Sequence, residues 1–267
     1  MAFDSFAQVD ADTRRLRAAM TVPPPPGRLW AIDQTIRQLK QHGIWQCLDV
    51  LWMLAAHDAQ AARLNWKAPV SFALTAVNSP TFTRDRGYAG NGTTSYLDTG
   101  FILATNSVQA TATAACAGVY LNGGTTTAAS GAVNLGVNDF TNSTILPRGT
   151  SSGGTGMRGR INSTTTNDLS GTLTSPMGLY VLDRPDSATL NGYDEGVLNG
   201  TFAQASAALP ATYSVYLGAN NSIGPGPANF SDNRIASAFM GASLSAAQHA
   251  ALYRITQNFL ASMGAAL

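Results

Sequence analysis

The sequence predicts a mainly β, antiparallel sandwich or barrel, with a helical region at its N-terminus and a single helix closing its C-terminus. Three observations predict it. Turn signals recur at short intervals, at Asn91-Gly92, Asn122-Gly123-Gly124, Asn191-Gly192, Asn199-Gly200 and the Gly224-Pro225-Gly226-Pro227 run. Charge thins out where these signals begin: residues 1–67 hold eight of the 16 basic and six of the 15 acidic residues, and beyond them there is no Lys. Helical periodicity is confined to the two ends of the chain.

The elements follow in order. Residues 10–20 form a short charged stretch with Leu16 and Met20 on one face. Pro23 to Pro26 enforce an extended spacer that no helix crosses. Leu29, Ile32, Ile36 and Leu39 then fall at helical spacing, and Gly43 supplies a C-terminal stop. A third run, from Ile44 through Leu48, Leu51, Trp52, Ala55 and Ala59 to Ala62, carries an apolar stripe wide enough for two neighbours and predicts the second arm of an αα-hairpin. The division is therefore a helical, Pro-interrupted region over 1–67 and a β-module over 68–267. Within the β-module the strand-prone pieces are residues 95–102, 118–121, 177–182 and 213–217. Ser245 and Gln248 make a capping box, Leu252, Ile255, Phe259 and Met263 a buried stripe, and Gly264 the stop of the closing helix.

Composition excludes several functions. The 267 residues are 45% hydrophobic but only 12% charged, with a net charge of +1. No basic footprint for nucleic acid exists. The longest apolar run, residues 50–56, is far shorter than the ~18 residues of a membrane span, so no membrane insertion is expected. The first residues lack the basic head and apolar core of a signal peptide, which predicts synthesis in the bacterial cytoplasm without one. Glu195 is the only glutamate and Lys40 and Lys67 the only lysines. Cys47 and Cys116 read as two free thiols.

Residues 43–66 (GIWQCLDVLWMLAAHDAQAARLNW) and 74–101 (LTAVNSPTFTRDRGYAGNGTTSYLDTGF) resemble a segment of bacteriophage virion proteins: tail, fibre or head-spike components, including those of gene-transfer particles. The stretch from Tyr216 to Tyr253 (YLGANN…NFSDNRIASAFMGASLSAAQHAALY) is similar to the end of concanavalin A-like, laminin-G-type modules, and Leu190-Asn191-Gly192 and Leu198-Asn199-Gly200 resemble their hairpin. The resemblance implies a jelly-roll sandwich displayed on a virion or phage-like particle. It also implies attachment to other virion proteins through residues 1–67 and a homo-oligomeric state.

Motifs that suggest catalysis lack their context. Gly154 to Gly159 matches GxGxxG, but a dinucleotide site needs a strand before it and a helix after it, and here Ser- and Thr-rich sequence follows. Gly149 to Gly153 matches GxSxG without the strand-to-helix turn of a nucleophile elbow. His249 reads as a helix-surface residue, and His42 and His57 as helix-end and surface residues. The family implied by the resemblance includes glucanases, whose chemistry needs two carboxylates flanking the scissile bond. Asp194 and Glu195 are adjacent and read as a turn, so no enzyme activity is expected and a polysaccharide depolymerase is the weakest reading.

Calcium is the family's other option. Asn138, Asp139, Thr141 and Asn142 supply oxygens, but one Asp is few for an ion that takes six to eight, so the stretch reads as an Asx-rich turn and no cofactor is expected. Sugar binding needs amide and carboxylate side chains for hydroxyls and an aromatic for the ring face. Asn220, Asn221, Asn229 and Asp232, in one long loop over 220–233, have that composition, and Tyr193 in the preceding hairpin adds the platform. Arg158 and Arg160 are a second option, for an acidic polysaccharide. The expected function is non-catalytic adhesion to a bacterial surface glycan, the alternative a decoration protein that packs on capsid or tail neighbours. Repetition of a weak sugar site in an oligomer supplies avidity.

Overall fold

The computed structural model describes residues 9–124, 131–139, 142–146, 156–165, 167–173, 175, 177–224 and 226–265. Among these the strands form two sheets. The first contains β1 (Leu48–Met53), β3 (Thr81–Thr83), β4 (Gly87–Ala89), β6 (Ala115–Leu121), β11 (Gly178–Arg184), β12 (Thr189–Asp194), β13 (Val197–Ala203) and β17 (Arg234–Gly241). Its order is β13-β12-β11-β6-β17-β4-β3, and β1 shares the β17 edge that β4 leaves open. The second contains β2 (Thr75–Val77), β5 (Tyr96–Asp98), β7 (Leu135–Asn138), β8 (Asn142–Leu146), β9 (Gly156–Ser163), β10 (Asn167–Thr172) and β14 (Tyr216–Leu217), in the order β10-β9-β8-β7-β14-β5-β2. The short strands β15 (Asn220–Ser222) and β16 (Gly226–Ala228) pair with each other, and β15 runs parallel to β7. The other strand pairs are antiparallel. The chain is a mainly β jelly-roll sandwich with helices at both ends.

The centre of the first sheet is buried on both faces, while β13 and β3 at its edges keep exposed positions. Strands β6 and β11 have no exposed position, because one face meets the second sheet and the other meets helices. The helical layer is α4 (Ala246–Ser262), with α2 (Pro26–Gln41) packed on it and α1 (Ala11–Ala19) packed on α2. A four-residue helix, α3 (Leu103–Asn106), lies in the β5–β6 connection. Gly43 follows α2 at φ 68° and Ser245 and Gln248 complete the capping box of α4, as expected, whereas Pro26, expected in the extended spacer, is the first residue of α2. Trp66 meets Phe259 of α4 edge-on, with ring centroids 5.4 Å apart, and Tyr120 donates to Gln257 at 2.6 Å.

The third helix expected over 44–62 is not formed. Trp45–Cys47 make a single 3₁₀ turn, and Leu48–Met53 is strand β1, in register with Gly241 to Ser237 of β17. The physical reason is two-sided burial. Five of the six β1 residues are buried, and a run that is apolar at every position but Asp49 carries no period that separates helix from strand. Pairing with β17 then decides. Residues 48–53 therefore belong to the sandwich, and the helices before them pack on a core they share with it.

Two of the turn signals also differ. Asn191-Gly192 and Asn199-Gly200 lie inside β12 and β13, where Gly192 faces Gly200 across the ladder. The turn is Asp194-Glu195-Gly196, with Glu195 and Gly196 at φ 51° and 81°. Gly196 is enforced there, since a Cβ would lie 2.8 Å from Tyr253 and 2.9 Å from the His249 carbonyl.

Candidate functional site

The sequence-derived sugar loop is divided by the structure. Asn220 and Asn221 sit in β15, 7% and 6% exposed. Asn221 Nδ2 donates to the Ser214 carbonyl at 2.9 Å, and Asn220 Nδ2 to Ser222 Oγ at 2.9 Å. Asn221 ties β15 to the segment before β14 and Asn220 bonds within β15, and both are buried, so neither meets solvent as a sugar ligand. Tyr193 is likewise no platform. It is 5% exposed and stacked on His249, ring centroids 3.8 Å apart at 22°. A residue at the inner end of a hairpin packs when a helix covers that face, and α4 does so here.

The remaining two residues reach the surface. Asn229 is exposed in a left-handed conformation (φ 55°), and Asp232 is half-buried. Their loop is anchored at alternate positions. The Asn229 carbonyl accepts from Val133 N at 2.8 Å, Ser231 N donates to the Gly218 carbonyl at 2.9 Å, and Asn233 Nδ2 donates to Asn134 Oδ1 at 3.0 Å. Ser231 Oγ joins the same Asn134 oxygen at 2.8 Å. Phe230 and Asp232, between the anchors, are the half-buried side chains of the loop.

A second loop abuts the first. Asn91 Oδ1 accepts from the backbone N–H groups of Thr93, Thr94 and Ser95 at 3.0, 2.8 and 3.0 Å, an Asx turn that folds the chain around one side chain. Ser95 Oγ accepts from Asn91 N at 2.8 Å, and Asn78 Nδ2 holds the Thr94 carbonyl at 3.0 Å. Gly90 must be glycine, because a Cβ would lie 2.2 Å from the Ser231 carbonyl. A Cβ on Gly92 would lie 3.6 Å from that of Asp232, so the two loop tips are neighbours.

Aromatic rings floor this corner. Tyr96 of β5 stacks on Tyr216 of β14 with centroids 4.3 Å apart at 27°, and Phe230 approaches Tyr96 at 6.3 Å. Burial, a hydrogen bond with Tyr96 and the nearby Asp98 carboxylate push the ionisation of the Tyr216 hydroxyl up, so it stays a neutral donor. Asp98 accepts from Ser214 Oγ at 2.7 Å and from Gly100 N at 2.9 Å. Below the loops, a narrow crevice opens between Tyr88 and Ile235 of one sheet and Tyr96, Leu97 and Leu217 of the other. The arrangement offers apolar ring faces beside a carboxylate and amides, on a frame that its own hydrogen bonds hold rigid.

Other expected features resolve as structural. Asp139 is 8% exposed, and its Oδ2 accepts from Ala211 N and Thr212 N at 2.6 and 2.8 Å, so it fixes a loop. Phe140 and Thr141 of that stretch, the GxSxG run and Gly154 and Thr155 lie outside the described residues. Among the described residues no group of three His, Cys, Asp or Glu side chains is placed to hold a metal. Arg158 and Arg160 share one face of β9, and burial with the neighbouring Arg158 lowers Arg160 to about 10. His249, expected on the helix surface, is 1% exposed and 3.0 Å from Asp183. Sequence periodicity signals neither that pair nor Phe230 and Tyr216, whose neighbours come from distant strands.

The sequence matches no protein-family model and no curated protein. Among solved structures, the chain is similar to a Trypanosoma rangeli sialidase, with a TM-score of 0.50 at 12% identity over 87% of this chain and 40% of that one. The chain thus spans about 40% of the sialidase's length. Two further similarities are to domain 4 of a GH43 extracellular arabinanase from Geobacillus stearothermophilus, in complex with arabinotriose (TM-score 0.42, 15% identity, 67% of this chain and 80% of that one), and to the CBM40 of a Ruminococcus gnavus IT-sialidase (TM-score 0.37, 17% identity, 56% and 84%). The sialidase likeness is one of fold: packed antiparallel sheets.

Proposed function

We propose that this chain is a non-catalytic glycan-binding sandwich that serves as an adhesion component of a phage-like particle. The observation that carries the binding role is the paired-loop corner, where Phe230 and Asp232 stand beside the Asn91–Ser95 turn over the Tyr96–Tyr216 stack. A sugar ring would lie its apolar face against Phe230 or Tyr216, while Asp232 and Asn229 take hydroxyls. The particle setting draws on the resemblance of residues 43–66 and 74–101 to virion proteins.

The non-catalytic reading rests on where the carboxylates are. Glu195 is fixed in a hairpin turn and bonded to Tyr253, and Asp183 is enclosed beneath α4. Glycoside hydrolysis requires two carboxylates free to flank the scissile bond, and Asp183 is spent on Ser243, Leu244 and His249. A glycan array probed with the oligomerised protein tests the proposal. Phe230→Ala and Asp232→Ala are expected to cut retention at least ~10-fold, as loss of one stacking and one charged contact implies. Unchanged retention by both variants refutes the site.

The decoration reading draws on a different surface. Val22 and Trp30, 48% and 53% exposed, flank a proline run in which Pro23, Pro25 and Pro26 are exposed and Pro24 is buried. Binding to purified particles alone, with no glycan retained, would favour it.

A further inference from the structure

The paired-loop corner is built from segments that carry charge of one sign. Residues 87–98 contain a single charged side chain, Asp98, and residues 213–233 a single one, Asp232. Tyr216 pairs with Asp98 across the β5–β14 ladder, and Tyr96 lies two residues before Asp98 on its strand, so the carboxylate and both rings share one face of the sheet. Leu97 and Leu217, which alternate with them, point into the core at 2% and 1% exposure. Asp232 reaches the corner from the other loop, beside Gly92.

Arginines near this corner in the fold are directed elsewhere. Arg234, the next charged residue along the chain, lies over the Asn122-Gly123 turn: its Nε donates to Asn122 Oδ1 at 3.0 Å and its Nη2 to the Asn122 carbonyl at 2.8 Å. Arg158 and Arg160 are on β9, three strands from β14 in the sheet order, or about 14 Å at ~4.8 Å per strand. That exceeds the ~8–10 Å over which exposed charges act at ordinary ionic strength.

We propose that the corner selects uncharged saccharides and rejects acidic ones, sialic and uronic acids among them; the inference rests on the glycan-binding reading of this corner. A neutral ring offers hydroxyl donors to the carboxylate oxygens and its C–H face to the aromatic floor. A saccharide carboxylate placed there adds a third negative charge beside Asp98 and Asp232, and neither segment supplies a cation to pair it. Like charges at close range then act against binding. Asp232 is the specificity-determining residue, because it stands at the loop tip, where a bound saccharide would meet its charge first.

A glycan array that prints each neutral oligosaccharide beside its sialylated and its C6-carboxylate counterparts tests this with the whole protein. In about 0.1 M salt the neutral members are expected to be retained at least ~10-fold more strongly than their acidic counterparts. Raising the salt to about 1 M shortens the screening length from about 10 Å to about 3 Å and should lower that ratio at least ~3-fold. Asp232→Asn, which keeps the size of the side chain, should lower it by a similar factor by raising acidic retention. Equal or stronger retention of the acidic members by the parent, or a ratio that neither salt nor Asp232→Asn moves, overturns the selectivity and leaves the glycan-binding reading in place. Retention of no glycan at all overturns both together.

Discussion

Asp183 Oδ2 lies 3.0 Å from His249 Nε2, and both side chains are enclosed, 1% and 0% exposed. The same carboxylate accepts from Ser243 Oγ at 2.6 Å and from Leu244 N at 2.9 Å. One side chain on β11 thus receives both the segment that enters α4 and the first turn of that helix. Ser243 bonds the carboxylate and not the imidazole, so the trio is a fastening and not a nucleophile–base pair.

Asp183→Ala would leave two enclosed donors, Leu244 N and His249 Nε2, and the half-buried Ser243 hydroxyl without an acceptor. At about 1 kcal/mol or more for each enclosed donor, urea denaturation should show a loss of at least about 2 kcal/mol. A loss below about 1 kcal/mol would show that α4 docks by apolar contact alone. Tyr193→Phe keeps the ring on His249 and should change stability by less than about 0.5 kcal/mol, with glycan retention unchanged.

Asn221→Ala separates the sequence expectation from the structure. As a sugar ligand, Asn221 would affect attachment and not melting. As the donor to Ser214, its loss should cost about 1–3 kcal/mol and leave glycan retention intact. Melting curves and array binding on one preparation decide between the two.

Deletion of residues 1–68 should abolish folding. Composition alone suggests a separable β-module, but the cut removes β1, strips the edge of β17 between Ser237 and Gly241, and takes Trp52 from the core. A soluble, cooperatively melting fragment of residues 69–267 would refute this and restore an independent module.

Cys47 and Cys116 are free, the first half-buried and the second buried. Burial above all, then Asp183, raises the Cys116 thiol well above its ordinary value of 9.0. A thiol reagent should therefore modify Cys47 in the native protein and Cys116 only on unfolding. Above pH 9 the unfolded chain ionises Cys116 while the folded one keeps its proton, so stability falls with rising pH, by up to about 1.4 kcal/mol per unit. Cys116→Ala should remove that slope; an unchanged slope would assign it to other groups.

The sequence by itself determined the fold class, α1, α2 and the caps of α4, because these rest on local chemistry: a capping box, helical spacing of apolar residues, a glycine stop and turn residues between strand-prone runs. It also placed Asn229 and Asp232 in a surface loop. It did not determine that Leu48–Met53 is a strand, that Asn191-Gly192 and Asn199-Gly200 lie within a ladder, or that Tyr193 and His249 are packed on each other. Those outcomes depend on partners far along the chain, namely β17, the opposing strand of the hairpin and α4. The candidate site divides in the same way. Its polar residues were legible as a loop composition, whereas Tyr96, Tyr216 and Phe230 meet only because β5 and β14 are neighbours in a sheet whose order no local pattern encodes.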